Sequence, residues 1–397
     1  MDLSTLSPHM TVLPPAWLAS EFGADYDNHE AVLEIRDPCG LHVIIAIHRP
    51  FFHPFLNRPT TLGGTRLGGK KMYPRREDAV RDALRLSGFG MSFKASLSGV
   101  DFGGAKAVLL LLADEPPDRD APIRGEFVEM LLVYAKYLNL LGGLYVTAED
   151  MNFSEKYLTL MAPHTRWVAG AGKEVSGSGN PSPYTARGIE LAIERALVEL
   201  FQDKWRTSHA SCMVAGVGGV GLPLAKALLD KGHEVFIADT DLRQIERARS
   251  VLGPSVSVVP PEEAHRKEVT VYAPCARGGC LNEKTIPELR CRAVVGGANN
   301  QLATYEDGYR IHQRGILYYP DYVVNSGGLR SVALEFMPGG HTEQGIAASL
   351  RAIPKMCSHV SYLSHRDDRP TSVVADELAR TIIAGKLSGK ALWSSDS

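Results

Sequence analysis

The sequence predicts an α/β protein with two domains, and three observations support this prediction. The chain has 397 residues, which is more than one hydrophobic core usually accommodates. Short apolar segments alternate with amphipathic helical segments between residues 211 and 325, a pattern typical of a doubly wound parallel sheet. A glycine-rich turn, GVGGVG at residues 216–221, connects the first of these strands to a helix. We therefore expect a mixed α/β domain followed by a doubly wound one.

The N-terminal part alternates between strand and helix patterns. The apolar segments VLEIRD and LHVIIAIHR predict two strands joined by a turn at Cys39 and Gly40. The following segment, residues 48–66, is rich in proline and aromatic residues and predicts a long loop. The pattern then predicts an amphipathic helix at 76–96, a strand at 101–112, a loop at 115–122, a helix at 125–141 and a strand at 144–150.

A segment without apolar periodicity marks the domain boundary. Residues 177–188, GSGNPSPYTARG, combine glycine, serine and proline, and a long helix follows from about Tyr184 to Gln202. We expect the hinge here. The final amphipathic helix, residues 372–387, could fold back on the first domain. The predicted bounds are residues 1–180 for the first domain, 181–354 for the second, and 355–397 for a C-terminal helical segment that packs back on the first.

The composition and charge are those of an ordinary globular protein. Hydrophobic residues make up 44% of the chain, and a net charge of −2 gives no electrostatic reason to expect nucleic acid or an anionic membrane as a partner. The six cysteines are scattered without a C-x-x-C pair, which favours reduced thiols over disulfides or a metal site. The longest apolar run, residues 107–113, is far too short to span a membrane. We expect a cytoplasmic protein that binds a small neutral or zwitterionic substrate and no metal.

The glycine-rich turn predicts a dinucleotide site. Gly216 allows the tight turn, Gly218 lets the backbone approach a pyrophosphate, and Gly221 permits close packing of the helix on the strand. The helix N-terminus adds free N–H groups for the phosphates. Asp239 ends the next strand, where it can accept hydrogen bonds from the ribose hydroxyls and repel a 2′-phosphate, so we expect NAD rather than NADP. The alternatives are a plain strand-to-helix turn, and Asp241 in the role of Asp239.

Two lysines stand in a stretch of small and apolar residues. Lys94 lies near the end of the helix that begins at residue 76, and Lys106 begins a strand after a Gly-Gly-Ala turn. Two neighbouring cations lower each other's pKa, so that one can act as a general base while the other holds an anion. Asp150, at the end of LYVTAED, could complete a proton-transfer set. The alternative is that both lysines extend to solvent, and the pattern alone leaves both possibilities open.

A series of motifs extends the prediction to the whole chain. LGGTRL, GMSFKASLSGVDFGGAKAVLL, TAEDM, SGNPSPYTARG, AGVGGVG, YAPCA, GGANNQL and DYVVNSGG occur in this order. In these motifs the chain resembles the glutamate/leucine/phenylalanine/valine dehydrogenase family, and most closely the leucine and phenylalanine dehydrogenases, from about Val32 to the final helix. The resemblance implies NAD-dependent oxidative deamination of an L-amino acid to a 2-oxo acid and ammonium, the reverse reductive amination, and a homo-oligomer.

The resemblance also implies roles for individual residues. Lys94 would bind the substrate carboxylate with help from Asn300, Lys106 would be the base that activates water, and Asp150 would move the proton at the amino nitrogen. Closure of the domains about residues 177–183 would exclude water. The implied cofactor-binding residues are Gly216, Gly218, Gly219, Val220, Gly221, Asp239, Thr185, Ala273, Pro274, Cys275 and Asn299.

The implied side-chain pocket is apolar. Family members that act on glutamate have a lysine just before the glycines of GGTR, where this chain has a leucine. The wall positions are Leu62, Gly63, Met91, Ala148, Leu329 and Val332, which suit a branched aliphatic or aromatic side chain, with room left by the small Gly63 and Ala148.

Several positions depart from the family pattern. Besides the long loop at 48–61, these are Phe89, Asn152, Phe153 and Arg330. Arg330 is interpreted either as a solvent-facing helix residue or as a contact to an acidic partner or an unusual substrate. The departures favour, as an alternative, a specialised biosynthetic enzyme that acts on phenylalanine or tryptophan to supply a 2-oxo acid or imine. A catalytically silent NAD-binding paralogue and a folate-type dehydrogenase are further alternatives.

Overall fold

A computed structural model describes residues 3–118, 121–202, 204, 209–254 and 256–388. The chain forms two compact units. The first unit comprises residues 1–180, 332–342 and the chain from 379, and the second comprises residues 181–331 and 343–378. Within the described residues, no helix has the length and apolar character needed to span a bilayer.

The first unit is built on a seven-stranded mixed sheet. The strands follow the order β1-β2-β3-β6-β5-β4, and β7 also pairs with β5. The predicted hairpin is present, since β2 and β3 are antiparallel, whereas β5, β6 and β7 run parallel to one another. The strands are β1 Met10–Val12, β2 Ala31–Arg36, β3 His42–His48, β4 Phe51–His53, β5 Arg58–Gly68, β6 Gly103–Leu110 and β7 Tyr145–Ala148.

The prediction of a loop at residues 48–66 is wrong. This segment contains β4 and most of β5, and β5 is an inner strand with β6 on one side and β7 on the other. Its three prolines lie at or before Pro59, while the stretch from Thr60 to Gly68 contains none and is almost entirely buried. Backbone hydrogen bonds on both sides of that stretch stabilise it as a strand despite its glycines.

The helices of the first unit cover the sheet. The predicted helix at 76–96 is present but is divided by a π-helical segment, Leu86–Ser92, so that α3 is offset from α2. The face of α2 that contains Ala79, Val80 and Ala83 packs in the core. The helices are α1 Pro15–Phe22, α2 Arg76–Arg85, α3 Phe93–Ser98, α4 Glu126–Leu140 and α5 Glu155–Met161.

The second unit contains the predicted doubly wound sheet. Its six strands are all parallel and follow the order β10-β9-β8-β11-β12-β13. Numbered within the unit this is 3-2-1-4-5-6, the Rossmann order, and the order in which successive strands are added reverses between β8 and β11. The strands are β8 Ser211–Ala215, β9 Glu234–Ala238, β10 Ser257–Val258, β11 Val269–Pro274, β12 Cys291–Val294 and β13 Leu317–Tyr318.

The remaining helices flank this sheet or lead out of it. They are α6 Ser182–Phe201, α7 Gly221–Asp230, α8 Leu242–Leu252, α9 Glu306–Gln313, α10 Asp321–Val324, α11 Gly327–Ala333, α12 Glu343–Leu350, α13 Ala352–Asp367 and α14 Thr371–Leu387. Residues 343–378 belong to the second unit, so that unit extends beyond residue 355, where the separate C-terminal segment was predicted to begin. From Ala379 the last helix belongs to the first unit, where Lys386 donates to the Asp101 carboxylate at 3.0 Å. The predicted return of the C-terminal helix is therefore confirmed.

Candidate active site

Lys106 lies on β6 in the interior of the first unit. The residue is only 3% exposed, and its neighbours Ala105 and Ala107 are fully buried. Its Nζ donates a hydrogen bond to Oδ2 of Asp150, which follows β7. The parallel alignment of β5, β6 and β7 brings these two predicted catalytic side chains together.

The Asp150 carboxylate is also held from its other side. Oδ1 of Asp150 accepts hydrogen bonds from Nε of Arg66 at 3.0 Å and from the backbone N–H of Met151 at 2.6 Å. Nη1 of Arg66 lies 2.9 Å from Oδ2 of Asp82, which in turn accepts a hydrogen bond from the Tyr73 hydroxyl at 2.6 Å. Lysine, carboxylate, guanidinium and carboxylate thus alternate in a continuous network.

The environment of Lys106 disfavours its protonation. Burial lowers the pKa of Lys106 well below its ordinary value, because the ammonium form loses its hydration. The positive charges of Arg66 and Lys94 lower that pKa further, and the Asp82 carboxylate opposes them. Lys94 lies on α3, and its side chain is partly exposed. The predicted second cation is therefore present, but Arg66 has the larger effect.

Sequence reasoning did not identify Arg66 and Asp82. With residues 48–66 interpreted as a loop, no face could be assigned to Arg66, and Asp82 read as one of several charges on an amphipathic helix. The signal that could have identified Arg66 is the alternation of side chains along β5. Gly64 and Arg66 are two residues apart and therefore lie on the same face of the strand, and Asp150 packs against that face.

Glycine and serine connect the segments that carry the two lysines. A Cβ on Gly104 would lie 2.3 Å from both the Ser87 carbonyl oxygen and the Ser92 nitrogen, so β6 packs directly on the π-helical segment. Oγ of Ser92 accepts a hydrogen bond from the Gly104 N–H at 3.0 Å and lies 2.8 Å from Nδ1 of His48. Ser92 and Gly104 each precede a lysine by two residues, so this contact fixes the two lysine-bearing segments to each other.

The predicted wall residues of the first unit lie on β5, β7 and the π-helical segment. Leu62 is buried, and Ala148 and Met91 are half-buried. The expectation that Gly63 leaves room for a substrate is wrong, because a Cβ there would lie 1.7 Å from the carbonyl oxygen of Ala105. Close approach of β5 to β6 accounts for this glycine, and its place in the wall stays a prediction.

The last two wall positions lie on α11. Leu329 belongs to the second unit and Val332 to the first, and both are buried. Their contact with a substrate stays a prediction.

Three of the departures from the family pattern have structural explanations. Nδ2 of Asn152 donates to the Leu67 carbonyl at 3.1 Å, and Asn152 adopts a φ of 61°. Phe153 is fully buried and packs edge-on against Tyr157. Phe89 is 38% exposed and packs on Phe93.

Arg330 is buried, and among the described residues it is not paired with a carboxylate. It is 4% exposed, and it donates to the Ser349 carbonyl at 3.0 Å and to the Ser326 hydroxyl at 3.3 Å. Burial lowers the pKa of Arg330 to about 10. The interpretation of Arg330 as a solvent-facing residue is therefore wrong, since it joins α11 to α12 inside the second unit. Its contact with an acidic partner or a substrate stays a prediction.

The glycine-rich turn of the second unit leaves space for a ligand. Gly216 has a φ of 100°, and a Cβ on Gly221 would lie 1.8 Å from the Gly216 carbonyl oxygen, so the turn itself requires both glycines. A Cβ on Gly218 would meet no atom within 4 Å. The open side of Gly218 lies just before the N-terminus of α7, and Gly219 and Val220 complete the turn.

The two candidate ribose ligands have different surroundings. Asp239 follows β9, and its carboxylate accepts hydrogen bonds from the N–H groups of Val217 and Asp241, both at 2.9 Å. Asp241 instead caps α8 through the Arg243 N–H at 3.0 Å and pairs with the Arg243 guanidinium. Asp239 therefore lies beside the turn, whereas the charge of Asp241 is already paired, and this favours Asp239.

The other predicted cofactor residues lie at the carboxyl ends of the parallel strands. Ala273 and Pro274 end β11, and the Cys275 N–H donates to the Ala215 carbonyl at 2.7 Å. Burial raises the pKa of the Cys275 thiol to about 11.

The loops beyond β12 carry the remaining candidates. Asn299 and Asn300 are exposed in the loop that follows that strand; Asn299 accepts from Asn325 at 2.9 Å, and the Asn300 N–H donates to Asp321 at 2.9 Å. The Thr185 hydroxyl accepts from the Gly328 N–H at 3.0 Å.

Comparison with known proteins gives a consistent result. The family model of glutamate/leucine/phenylalanine/valine dehydrogenase matches residues 238–364. Leucine dehydrogenase from Bacillus cereus is 34% identical over 366 residues, covering 92% of this chain and 93% of that protein. Phenylalanine dehydrogenase from Bacillus thermotolerans is 36% identical over 331 residues, covering 82% of this chain and 80% of that protein. Among solved structures, L-tryptophan dehydrogenase from Nostoc punctiforme has a TM-score of 0.72 at 28% identity, covering 94% of this chain and 99% of that one.

Proposed function

The chain belongs to the glutamate/leucine/phenylalanine/valine dehydrogenase family, and from this premise we propose that it catalyses the NAD-dependent oxidative deamination of an apolar L-amino acid. The reaction consumes water and NAD and yields the 2-oxo acid, ammonium, NADH and a proton, and the reverse reaction is reductive amination. The observation that carries the proposal is the buried Lys106 amine in contact with the Asp150 carboxylate.

The side chains of the first unit supply the proton chemistry. Lys94 holds the substrate carboxylate, with Asn300 of the second unit as a further ligand. Lys106, neutral because of its burial, takes a proton from the water that adds to the iminium carbon. Asp150 carries a proton to the amino nitrogen, and its carboxylate then takes the hydroxyl proton as the C–N bond breaks, ammonia leaves and the carbonyl forms.

The residues of the second unit fit a dinucleotide. The open face of Gly218 and the N-terminus of α7 suit a pyrophosphate, and the Asp239 carboxylate suits the ribose hydroxyls. Thr185 and Asn299 would lie at the nicotinamide half. Bound NAD would accept the hydride from the substrate Cα. We propose NAD over NADP because the Asp239 carboxylate repels a 2′-phosphate and the nearby Arg243 is paired with Asp241.

The substrate side chain is branched aliphatic or aromatic. Leu62 carries no charge that could hold a distal carboxylate, and the relatives named above act on leucine, phenylalanine and tryptophan by their names. The similarity to the tryptophan enzyme over 94% of this chain supports the aromatic alternative, a specialised biosynthetic dehydrogenase for phenylalanine or tryptophan. We also propose that the enzyme is a cytoplasmic homo-oligomer.

A substrate panel tests the function. Purified protein is mixed with NAD and individual L-amino acids at alkaline pH, and NADH is followed by absorbance; the reverse reaction is run with ammonium and 2-oxo acids. We expect turnover with at least one aliphatic or aromatic member and none with Lys106→Met. Binding of NAD without turnover in either direction would instead identify a catalytically silent paralogue.

A further inference from the structure

Arg66 connects the catalytic pair to a second carboxylate. Its Nε lies 3.0 Å from Oδ1 of Asp150, and its Nη1 lies 2.9 and 3.2 Å from the two oxygens of Asp82. The guanidinium side chain is 14% exposed, so these contacts are only weakly screened by water. The Tyr73 hydroxyl holds Asp82 from the other side.

The two oxygens of the Asp150 carboxylate have different hydrogen-bond partners. Oδ1 is occupied by Arg66 and by the backbone N–H of Met151, which leaves Oδ2 for Lys106. A carboxylate held in this way cannot rotate to offer either oxygen to the amine. We propose that Arg66, held by Asp82, is the positioning residue that orients Asp150 against Lys106. The proposal rests on the proposed function, since it assigns how that function's base is prepared.

Charges of both signs surround Lys106, and their effects on its ionisation can be measured. The charged groups that face the amine are Asp150 after β7, Arg66 on β5, Asp82 on α2 and Lys94 on α3. Arg66 disfavours the protonated amine and Asp82 favours it. Removal of the Arg66 charge should therefore raise the pKa of Lys106, and removal of the Asp82 charge should lower it. Loss of a merely structural contact would not produce these opposite shifts.

The test compares Arg66→Gln and Asp82→Asn with the wild type. The acid limb of kcat/KM for deamination is measured against pH, and the pH dependence of Lys106 acetylation by trace acetic anhydride is followed by mass spectrometry without substrate. In both pH profiles we expect the midpoint, which reports the ionisation of Lys106, to rise by about one pH unit in Arg66→Gln and to fall in Asp82→Asn. Since proton transfer is impaired, kcat should fall roughly tenfold or more in Arg66→Gln while the KM for NAD stays unchanged.

Two further variants separate charge, geometry and general disturbance. Arg66→Lys keeps the charge without the fork of donors, so we expect a midpoint near that of the wild type but a lower kcat. Arg75→Gln removes an exposed arginine that pairs with Asp78, and it should change neither quantity. If Arg66→Gln does not fold, the opposite shift in Asp82→Asn still decides.

The outcomes are distinguishable from failure of the proposed function. If the wild type shows no turnover, the acetylation profiles still report the ionisation of Lys106. Midpoints that are unchanged in both variants, or that move in the same direction, overturn the role of Arg66 whether or not the protein is a dehydrogenase.

Discussion

Gly64 and Asp150 lie so close together that a Cβ built on Gly64 would be 2.7 Å from the Cβ of Asp150 and 3.1 Å from its Oδ2. It would also lie 2.6 Å from the Glu149 carbonyl oxygen. Because backbone and a fully held carboxylate surround this point, no flexible group can move aside to admit a side chain.

Gly64→Ala is therefore expected to displace Asp150 from Lys106. We predict a loss of roughly 1–3 kcal/mol in the free energy of unfolding and at least a tenfold fall in kcat, since the carboxylate that carries the proton would be misplaced. Urea denaturation and steady-state kinetics measure the two effects. Gly90→Ala serves as the control, because a Cβ there meets nothing closer than 3.8 Å. Equal kinetics for both variants would contradict the prediction.

The sequence was sufficient for those parts of the fold with strong local periodicity. The second unit was predicted as a doubly wound parallel sheet from apolar strands that alternate with helices and from the glycine-rich turn, whereas its strand order comes from the structure. The π-helical segment at Leu86–Ser92 was not predictable, because a helical register shift leaves the apolar pattern of residues 76–96 intact. Strand β5 was missed because its burial is decided by β6 and β7, which pair with it from distant parts of the chain.

Only those residues of the candidate active site that stand out in a sequence motif were predicted. Lys106 and Asp150 were identified from the motifs, and the structure brings them into contact. Arg66 and Asp82 were not, because their roles depend on side-chain pairing between a strand and a helix, which no local pattern encodes. For Arg330 the error is of another kind. The sequence pattern allowed a solvent-facing helix residue, but the surrounding helices bury this side chain.

Asp239→Ser should change cofactor preference. The substitution removes the charge that repels a 2′-phosphate and weakens the contacts to the ribose, so we expect the KM for NAD to rise by about tenfold and the KM for NADP to fall. Initial rates with both cofactors measure the ratio. Asp230→Asn removes an exposed charge that pairs with Lys226, and it should leave the ratio unchanged. Asp241→Asn releases Arg243 from its ion pair, and it should move the ratio less than Asp239→Ser does. A shift in Asp241→Asn but not in Asp239→Ser would assign the role to Asp241.

Lys106→Met should make stability depend differently on pH. Since burial lowers the pKa of Lys106, the unfolded chain binds a proton that the folded chain does not, from that lowered pKa up to the ordinary value of 10.5. Lys106 therefore reduces the free energy of unfolding at and below its lowered pKa, and this cost disappears as the pH rises to 10.5. We expect the stability of Lys106→Met relative to the wild type to decrease as the pH rises across this window.

Urea denaturation at several pH values measures this difference. Lys226→Met removes an exposed lysine that pairs with Asp230, and it should show no such trend. A constant difference between Lys106→Met and the wild type over the window would show that the Lys106 amine is as readily protonated in the folded chain as in the unfolded one.

Arg330→Met tests whether the buried arginine affects substrate choice. Its guanidinium contacts Ser326 and Ser349, both in the second unit. Replacement of a buried charge by an apolar side chain of similar length is often nearly neutral, so we expect a change of no more than about 1–2 kcal/mol in the free energy of unfolding. The order of preference in the amino-acid panel should stay as in the wild type. A changed order would place Arg330 in the substrate site.

Ser92→Ala should weaken the connection between the two lysine-bearing segments. The Ser92 hydroxyl is fully buried, accepts from the Gly104 N–H at 3.0 Å and lies 2.8 Å from Nδ1 of His48. Its removal leaves the Gly104 N–H, Nδ1 of His48 and the His48 carbonyl oxygen without this partner, at a cost of roughly 1–3 kcal/mol in the free energy of unfolding. Because Ser92 precedes Lys94 by two residues and Gly104 precedes Lys106 by two, we also expect a higher KM for the amino acid. Ser250→Ala removes an exposed hydroxyl that donates to the Arg247 carbonyl within its own helix, and it should change stability by no more than about 0.5 kcal/mol. Loss of stability in Ser92→Ala with an unchanged KM would show that the hydroxyl supports the fold without positioning the lysines.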